Sequence, residues 1–161
     1  MQSLVGMKTM SGAHHAITIL VADDDADDRM LTREAFEESR LLNELRFVED
    51  GEEAMDYLKR RNAYRVPETS PRPGLILLDL NMPKKNGHEV LEEIKIDPEL
   101  RRIPVIIMTT SDVDYDVAQS YDLGANSYIT KPVTFDGLVK VVQNINHYWL
   151  EIVTLSIESS E

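Results

Sequence analysis

The 161-residue sequence contains no cysteine, which excludes disulfide bonds, thiolate zinc sites and a cysteine nucleophile. It has no hydrophobic run of about 20 residues, the length that a membrane-spanning helix needs, so we expect no membrane domain. Seven glycines and seven prolines are too few for a fibrous or low-complexity chain. Hydrophobic residues make up 42% and charged residues 29%, a balance typical of one globular domain.

Basic residues are also scarce. The chain has 17 lysines and arginines against 29 aspartates and glutamates, which gives a formal net charge of −12. An acidic protein is repelled by a phosphate backbone, which argues against a general nucleic-acid binder. No glycine-rich dinucleotide or P-loop motif is found, which argues against nucleotide and flavin binding. The lack of cysteine and of an apolar signal segment favours a cytoplasmic protein.

The chain divides into a central domain and two short ends. Residues 1–16 are polar and lack an unbroken apolar stretch, and we interpret them as a flexible leader. Residues 17–150 form the predicted domain. Residues 151–161 form a tail whose apolar side chains have no polar helical face to balance them. We therefore expect this tail to cover an apolar surface, as a dimer arm does.

Apolar runs rich in β-branched residues alternate with stretches of helical periodicity. The predicted strands cover residues 17–22, 45–48, 75–80, 105–109 and 127–129. The predicted helices cover residues 25–39, 51–58, 89–96, 113–123 and 135–149. Five strand–helix units in this order predict an α/β fold, a doubly wound five-stranded parallel sheet with helices on both faces.

Acidic residues follow the first and third predicted strands. Functional residues of such sheets lie beyond the carboxyl ends of the strands, where Asp23, Asp24 and Asp79 are placed. Carboxylates packed together repel one another unless a cation lies among them, and hard oxygen ligands suit Mg²⁺. The other acids among residues 25–28 are interpreted as a solvated charge run at a helix N-terminus.

An aspartate beside Mg²⁺ can act as a nucleophile and form an aspartyl phosphate. Such a reaction needs a cation and a hydroxyl or amide donor to stabilise the phosphoryl oxygens. Lys131, after the fifth strand, offers the cation, and Thr109, at the end of the fourth, offers the hydroxyl. The residues at four strand ends therefore indicate phosphoryl chemistry.

These residues carry a family resemblance. The segments ITILVADDDADD, LILLDLNMPKKNGHEVL, VIIMTTS and YITKPV resemble, in this order, the receiver domain of two-component response regulators. The resemblance to this CheY-like family covers residues 17–149 and implies a flavodoxin-like (βα)5 fold. It implies that Asp79 is the phosphoacceptor. It further implies a Mg²⁺ site formed by Asp24, Asp79 and the backbone carbonyl of Asn81, with Asp23 completing the acidic pocket.

The same resemblance implies three further roles. Lys131 matches the phosphate-binding amine of the family, Thr109 the switch hydroxyl and Tyr128 the aromatic residue that changes rotamer on phosphorylation. A protein of this type catalyses only its own phosphorylation and dephosphorylation and is otherwise not an enzyme. Its implied partner is a sensor histidine kinase that donates the phosphoryl group in a phosphorelay.

A narrower resemblance concerns the proline-containing loop at residues 64–73 and the segments SYDLGANSYITKPV and NINHYWL. They are similar to the stand-alone response regulators paired with bacterial phytochromes. This similarity implies a single receiver domain without an output domain, a bacteriophytochrome as the kinase, and a homodimer that uses the C-terminal segment as an arm.

Two other classes of protein remain as alternatives. A Mg²⁺-dependent phosphohydrolase of the haloacid dehalogenase type also uses an aspartate nucleophile at a strand end. It carries a second acid two residues later, where this chain has Asn81, which cannot act as a general acid or base. A phosphorylation-independent binding module is the third hypothesis, and it predicts partner binding that is insensitive to phosphate.

Overall fold

The computed structural model describes residues 17–150, so the predicted leader at residues 1–16 and tail at residues 151–161 lie outside the described residues. Strands and helices alternate along the described chain. The strands are β1 (Thr18–Ala22), β2 (Glu44–Val48), β3 (Leu75–Leu78), β4 (Val105–Thr109) and β5 (Ser127–Thr130). The helices are α1 (Ala26–Glu38), α2 (Gly51–Lys59), α3 (Gly87–Ile96), α4 (Asp114–Asp122) and α5 (Phe135–Ile145).

The five strands form one sheet in the order β2-β1-β3-β4-β5, and every neighbouring pair is parallel. The predicted doubly wound parallel sheet is therefore confirmed. The chain passes from β1 outward to β2 and then returns to the other side of β1 for β3. The residues that follow β1 and β3 consequently face the crevice where the winding reverses, which is the usual ligand site of this architecture.

Helices cover both faces of the sheet, which explains the unbroken apolar runs of the central strands. On one face Leu20 and Leu78 pack with buried residues of α2 and α3. On the other face Ile19 and Leu77 pack with buried residues of α1 and α5. The two cores pack against both faces of the central strands and so set the positions of their carboxyl ends. None of the helices within residues 17–150 is long and apolar enough to cross a membrane.

Three element boundaries differ from the prediction by two residues or more. Strand β3 ends at Leu78, two residues before its predicted end. Helix α3 begins at Gly87, because the Asn86 side chain accepts a hydrogen bond from the Glu89 backbone N–H while the Glu89 side chain accepts one from that of Asn86. The last predicted helix remains α-helical only to Ile145 and continues as a π-helix over Asn146–Leu150. Apolar spacing extends through both segments and does not reveal the change of hydrogen-bond pattern.

The long connection between α2 and β3 folds into two short 3₁₀ helices, Asn62–Tyr64 and Pro67–Thr69. Two tyrosines anchor the connection to the domain. The Tyr57 hydroxyl donates a 2.7 Å hydrogen bond to the carbonyl of Pro71, and the Tyr64 hydroxyl donates a 2.6 Å hydrogen bond to Glu53. The predicted loop is therefore an ordered part of the domain.

Tyr57 makes the stability of the domain decrease with rising pH in the alkaline range. Burial raises the pKa of the Tyr57 hydroxyl to about 12, against about 10 for an unfolded chain. Because the folded-state pKa is raised, this stabilisation is complete below pH about 10 and is lost as the pH rises towards 12. We expect Tyr57→Phe to cost about 1 kcal/mol of unfolding free energy at neutral pH and to weaken its alkaline decline. Urea unfolding at several pH values measures both effects, and an unchanged decline would contradict the assignment to Tyr57.

Candidate functional site

Three carboxylates converge at the crevice between β1 and β3. Asp23 is the first residue after β1, Asp24 follows it, and Asp79 is the first residue after β3. One oxygen from each side chain lies within 4.8 Å of the others. Asp23 and Asp79 are only 4% and 6% exposed, whereas Asp24 is exposed. The cluster is therefore buried in the domain on one side and open to solvent on the other.

Lys131 closes the cluster from the β5 side. It is the first residue after β5, and its Nζ atom lies 2.8 Å from carboxylate oxygens of both Asp23 and Asp79. A third carboxylate, from Asp28 in the first turn of α1, lies 2.7 Å from the same nitrogen. The three N–H groups of the ammonium thus meet three acidic acceptors, which fixes Lys131 over the acidic residues.

The charges in the cluster perturb one another. Burial raises the pKa of Asp23, although hydrogen bonds from Lys131 and from the Asp25 backbone N–H act in the opposite direction. Burial alone lowers the pKa of Lys131, but hydrogen bonds to its three carboxylates outweigh burial and raise that pKa above its usual value. Lys131 is therefore a permanent cation at any physiological pH.

The donor set suits a divalent cation with a preference for oxygen. The acidic residues carry more negative charge than one ammonium group neutralises, and Asp24 leaves the open side accessible. Mg²⁺ binds through one or two carboxylates and keeps several water ligands, which fits an open cluster of this kind. Asn81 is exposed, and its backbone N–H donates a 3.2 Å hydrogen bond to Asp79. Metal ligation by the Asn81 carbonyl stays a prediction.

Thr109 presents an unsatisfied hydroxyl next to this cluster. It is the last residue of β4, the strand adjacent to β3, and it is fully buried. Its Oγ1 atom has no hydrogen-bond partner within residues 17–150. A buried hydroxyl without a partner costs folding free energy, and such groups occur where a ligand supplies the missing acceptor.

Tyr128 connects the end of the sheet to the loop after β4. It lies on β5 opposite Ile107 of β4, and its ring is half-buried against the core on the α2–α3 face. Its hydroxyl donates a 2.7 Å hydrogen bond to the carbonyl of Ser111, two residues after Thr109. Burial raises the pKa of Tyr128, so the hydroxyl keeps its proton and remains a donor. This hydrogen bond therefore connects the Tyr128 ring to the loop that follows Thr109.

The predicted site residues at the ends of β1, β3, β4 and β5 lie at one edge of the sheet, but the sequence analysis missed one carboxylate that contacts Lys131. The interpretation of residues 25–28 as a helix start holds for Asp25, whose side chain accepts hydrogen bonds from two backbone N–H groups of the first turn of α1. It is wrong for Asp28, which binds Lys131 instead of only facing solvent. The sequence contained one signal that could have revealed this contact. Helix α1 follows β1, so its first turn, which includes Asp28, must lie at the carboxyl edge of the sheet.

The fold and the site together define a class of protein. A family profile described as response regulator receiver domain matches residues 19–143, and the chain belongs to this family. It is a response regulator of two-component signalling, as the resemblance predicted. Response regulator Rcp1 of Synechocystis is 49% identical over 139 residues, covering 86% of this chain and 92% of the relative.

Solved structures agree with this assignment. The manganese-bound form of Rcp1 superposes with a TM-score of 0.76 at 47% identity and covers 84% of this chain and 95% of that one. The phosphorylated cyanobacterial phytochrome response regulator RcpA gives a TM-score of 0.78 at 44% identity, with 84% and 94% coverage. The predicted similarity to phytochrome-associated stand-alone regulators is therefore confirmed.

Proposed function

We propose that Asp79 of this chain accepts a phosphoryl group from a phosphohistidine of a sensor histidine kinase. The observation that supports this most strongly is the contact of one buried strand-end carboxylate with a cation, beside two further carboxylates. In this reaction an Asp79 carboxylate oxygen attacks phosphorus and the P–N bond of the phosphohistidine breaks. The electron pair stays on the imidazole nitrogen, and the product on Asp79 is an acyl phosphate.

The surrounding residues prepare Asp79 for this attack. Lys131 already contacts the carboxylate at 2.8 Å and is positioned to donate hydrogen bonds to phosphoryl oxygens. Asp24 and Asp79, with Asp23 and the Asn81 carbonyl, would hold Mg²⁺, which when bound neutralises charge on the phosphoryl oxygens. The Thr109 hydroxyl, which lacks a partner in residues 17–150, supplies a further donor.

The response to phosphorylation would pass through Thr109 and Tyr128. A phosphoryl group gives the Thr109 hydroxyl an acceptor and draws the end of β4 towards Asp79. Because Tyr128 is hydrogen-bonded to the loop that follows, this movement selects among positions of its ring and of α4. A charge added at one edge of the sheet is thereby converted into a changed surface around α4 and β5.

Two surfaces of the domain are suited to partner proteins, one next to Lys131 and one between β5 and α5. Next to Lys131, a cavity of about 340 Å³ is bordered by apolar side chains, among them the exposed Leu31, Val133 and Phe135. We assign this surface to the kinase, and we assign the kinase to the bacteriophytochromes because the relatives include phytochrome response regulators. We assign the reaction to the cytoplasm, as the sequence favours.

A second surface suits another copy of the chain. A groove of about 300 Å³ between β5 and α5 is lined by nine residues, none of them charged, in a protein that is 29% charged. Tyr121 and Tyr148 at its border are exposed. The apolar tail at residues 151–161 follows directly after this groove in sequence. We assign the groove and the tail to a homodimer.

Incubation with acetyl phosphate tests the function. With Mg²⁺ present, intact mass should show one acid-labile phosphoryl group per chain, and chelation of the metal should prevent its uptake. Continuous release of phosphate from phosphate esters without a stable adduct would favour the phosphohydrolase. Neither adduct nor release would favour the binding module. Light scattering on the same samples reports whether the dimer forms and whether phosphorylation changes it.

Substitution of Thr109 should change the stability of the protein and its binding of the phosphoryl group in opposite directions. Thr109→Val replaces a buried hydroxyl without a partner by a methyl group of the same shape, so the unphosphorylated protein should gain about 1 kcal/mol of unfolding free energy. The same variant should hold the phosphoryl group several-fold less well. Urea unfolding and the phosphorylated fraction measure the two effects.

The matched control is Thr109→Ser, which keeps the hydroxyl and removes a buried methyl group. It should lose about 1 kcal/mol of stability and retain phosphorylation. If Thr109→Val retained full phosphorylation, the hydroxyl would have no role in binding the phosphoryl group.

A further inference from the structure

Asp28 is a third carboxylate on Lys131 that the proposed chemistry does not require. Its Oδ2 atom lies 2.7 Å from Lys131 Nζ, as close as the oxygens of Asp23 and Asp79. It does not belong to the group of carboxylates whose oxygens come within 4.8 Å of one another. Its side chain is 35% exposed, whereas that of Asp23 is 6% exposed. Asp28 therefore contacts the cation without sharing the metal site.

The start of α1 is built so that Asp28 points at Lys131. Asp25 Oδ1 accepts hydrogen bonds from the backbone N–H groups of Asp27 and Asp28, at 2.9 and 3.1 Å. On the next residue, Arg29 donates a 2.8 Å hydrogen bond to the carbonyl of Asp23. These contacts fix the first helical turn against the end of β1. The backbone position of Asp28 is thus set by contacts that do not involve Lys131.

Lys131 does not need Asp28 to stay in place. The buried Asp23 holds the same ammonium group at 2.8 Å, and the end of β5 fixes its backbone through a 2.7 Å hydrogen bond from the Lys131 N–H to the Thr109 carbonyl. Asp28 instead occupies one of the three N–H donors. Once Asp79 is phosphorylated, the phosphoryl oxygens and the Asp28 carboxylate compete for hydrogen bonds from the same ammonium group. Both acceptors are negatively charged, so they also repel each other.

We propose that Asp28 is a positioning residue that competes with the phosphoryl group for Lys131 and thereby weakens the binding of that group. This inference rests on the proposed function of Asp79. Asp28 would thereby keep phosphorylation easy to reverse, because Lys131 can bind the Asp28 carboxylate when the phosphoryl group leaves. Removal of the Asp28 charge should accordingly favour the phosphorylated form.

Beryllofluoride, a noncovalent phosphoryl analogue, tests this as an equilibrium in the presence of Mg²⁺. Bound and free fluoride are distinguished by ¹⁹F NMR. Asp28→Asn should bind the analogue about two- to fivefold more tightly than the wild type, the size of one partly exposed charge interaction. Asp28→Glu restores the carboxylate and should return the affinity towards the wild-type value. Asp28→Ser serves as a second neutral variant if the amide disturbs folding.

Asp27→Asn is the matched control, because it removes the same charge one residue away. Asp27 is exposed, and its side chain makes no ion pair with Lys131. The proposed role of Asp28 would be overturned, with the proposed function unaffected, by either of two results. One is that Asp28→Asn binds beryllofluoride with the wild-type affinity, and the other is that Asp27→Asn gains as much affinity as Asp28→Asn. Failure of the wild type to bind the analogue and to take up phosphate from acetyl phosphate would contradict the proposed function and with it this inference.

Discussion

Asp79→Asn should abolish the Mg²⁺-dependent phosphoryl adduct completely. The side-chain amide has nearly the same shape as the carboxylate, but its nitrogen and oxygen are far weaker nucleophiles and an amide forms no acyl phosphate. The domain should still fold, because Asp23 and Asp28 continue to bind Lys131 at 2.8 and 2.7 Å. The expected effect is therefore a total loss of labelling from a stable protein.

Intact mass after incubation with acetyl phosphate measures this loss, and Asp27→Asn is again a suitable control because it alters an exposed carboxylate of the same acidic segment. The control should be labelled like the wild type. Acid-labile phosphate on Asp79→Asn at the wild-type level would show that another residue is the acceptor. Unfolding curves for all three proteins exclude a trivial loss through misfolding.

Gly87→Ala should produce a large loss of stability. Gly87 opens α3, and its backbone N–H donates a 2.9 Å hydrogen bond to the carbonyl of Leu80. A Cβ atom at this position would lie 2.3 Å from the carbonyl oxygen of Asp79 and 2.7 Å from the Cα atom of Leu80. Both are backbone atoms, so relief requires that α3 move away from the residue that carries the reactive carboxylate.

We expect Gly87→Ala to cost about 3 kcal/mol of unfolding free energy and to slow phosphorylation as well, because the clash displaces Asp79 itself. Gly74→Ala is the comparison, since the three atoms nearest to its added Cβ belong to the Ile17 side chain, at 2.8 to 3.1 Å, and none is a backbone atom. It should cost distinctly less and leave phosphorylation unchanged. Urea unfolding and labelling rates measure both. Equal costs for the two variants would contradict the close approach at Gly87.

The architecture was predictable because it depends on local and periodic features. Continuous apolar runs such as residues 75–78 are buried on both faces of a parallel sheet, and turns between them place polar residues at one edge. The positions of Asp79 and Lys131 follow from this topology alone. The ends of helices were less predictable, because the reciprocal hydrogen bonds of Asn86 and Glu89 start α3 two residues before the point that apolar spacing indicates.

Contacts between distant side chains could not be derived in the same way. Asp28 and Lys131 are separated by 103 positions, and their hydrogen bond depends on how α1 is rotated about its axis. The hydrogen bond of Tyr128 to the Ser111 carbonyl likewise depends on a rotamer and a loop path. The missing partner of Thr109 Oγ1 is visible only once every surrounding atom is placed. These side-chain contacts therefore had to be read from the structure, whereas the family resemblance was visible in the sequence.

Reductive trapping tests the central claim most directly. Borohydride reduces an acyl phosphate to an alcohol and converts the phosphorylated aspartate into homoserine, which peptide mapping locates by mass. After phosphorylation in Mg²⁺, we predict homoserine at position 79 and at no other aspartate of the acidic cluster. Homoserine at position 23, 24 or 28, or a phosphorylated protein that yields none, would contradict the assignment of Asp79 as the phosphoacceptor.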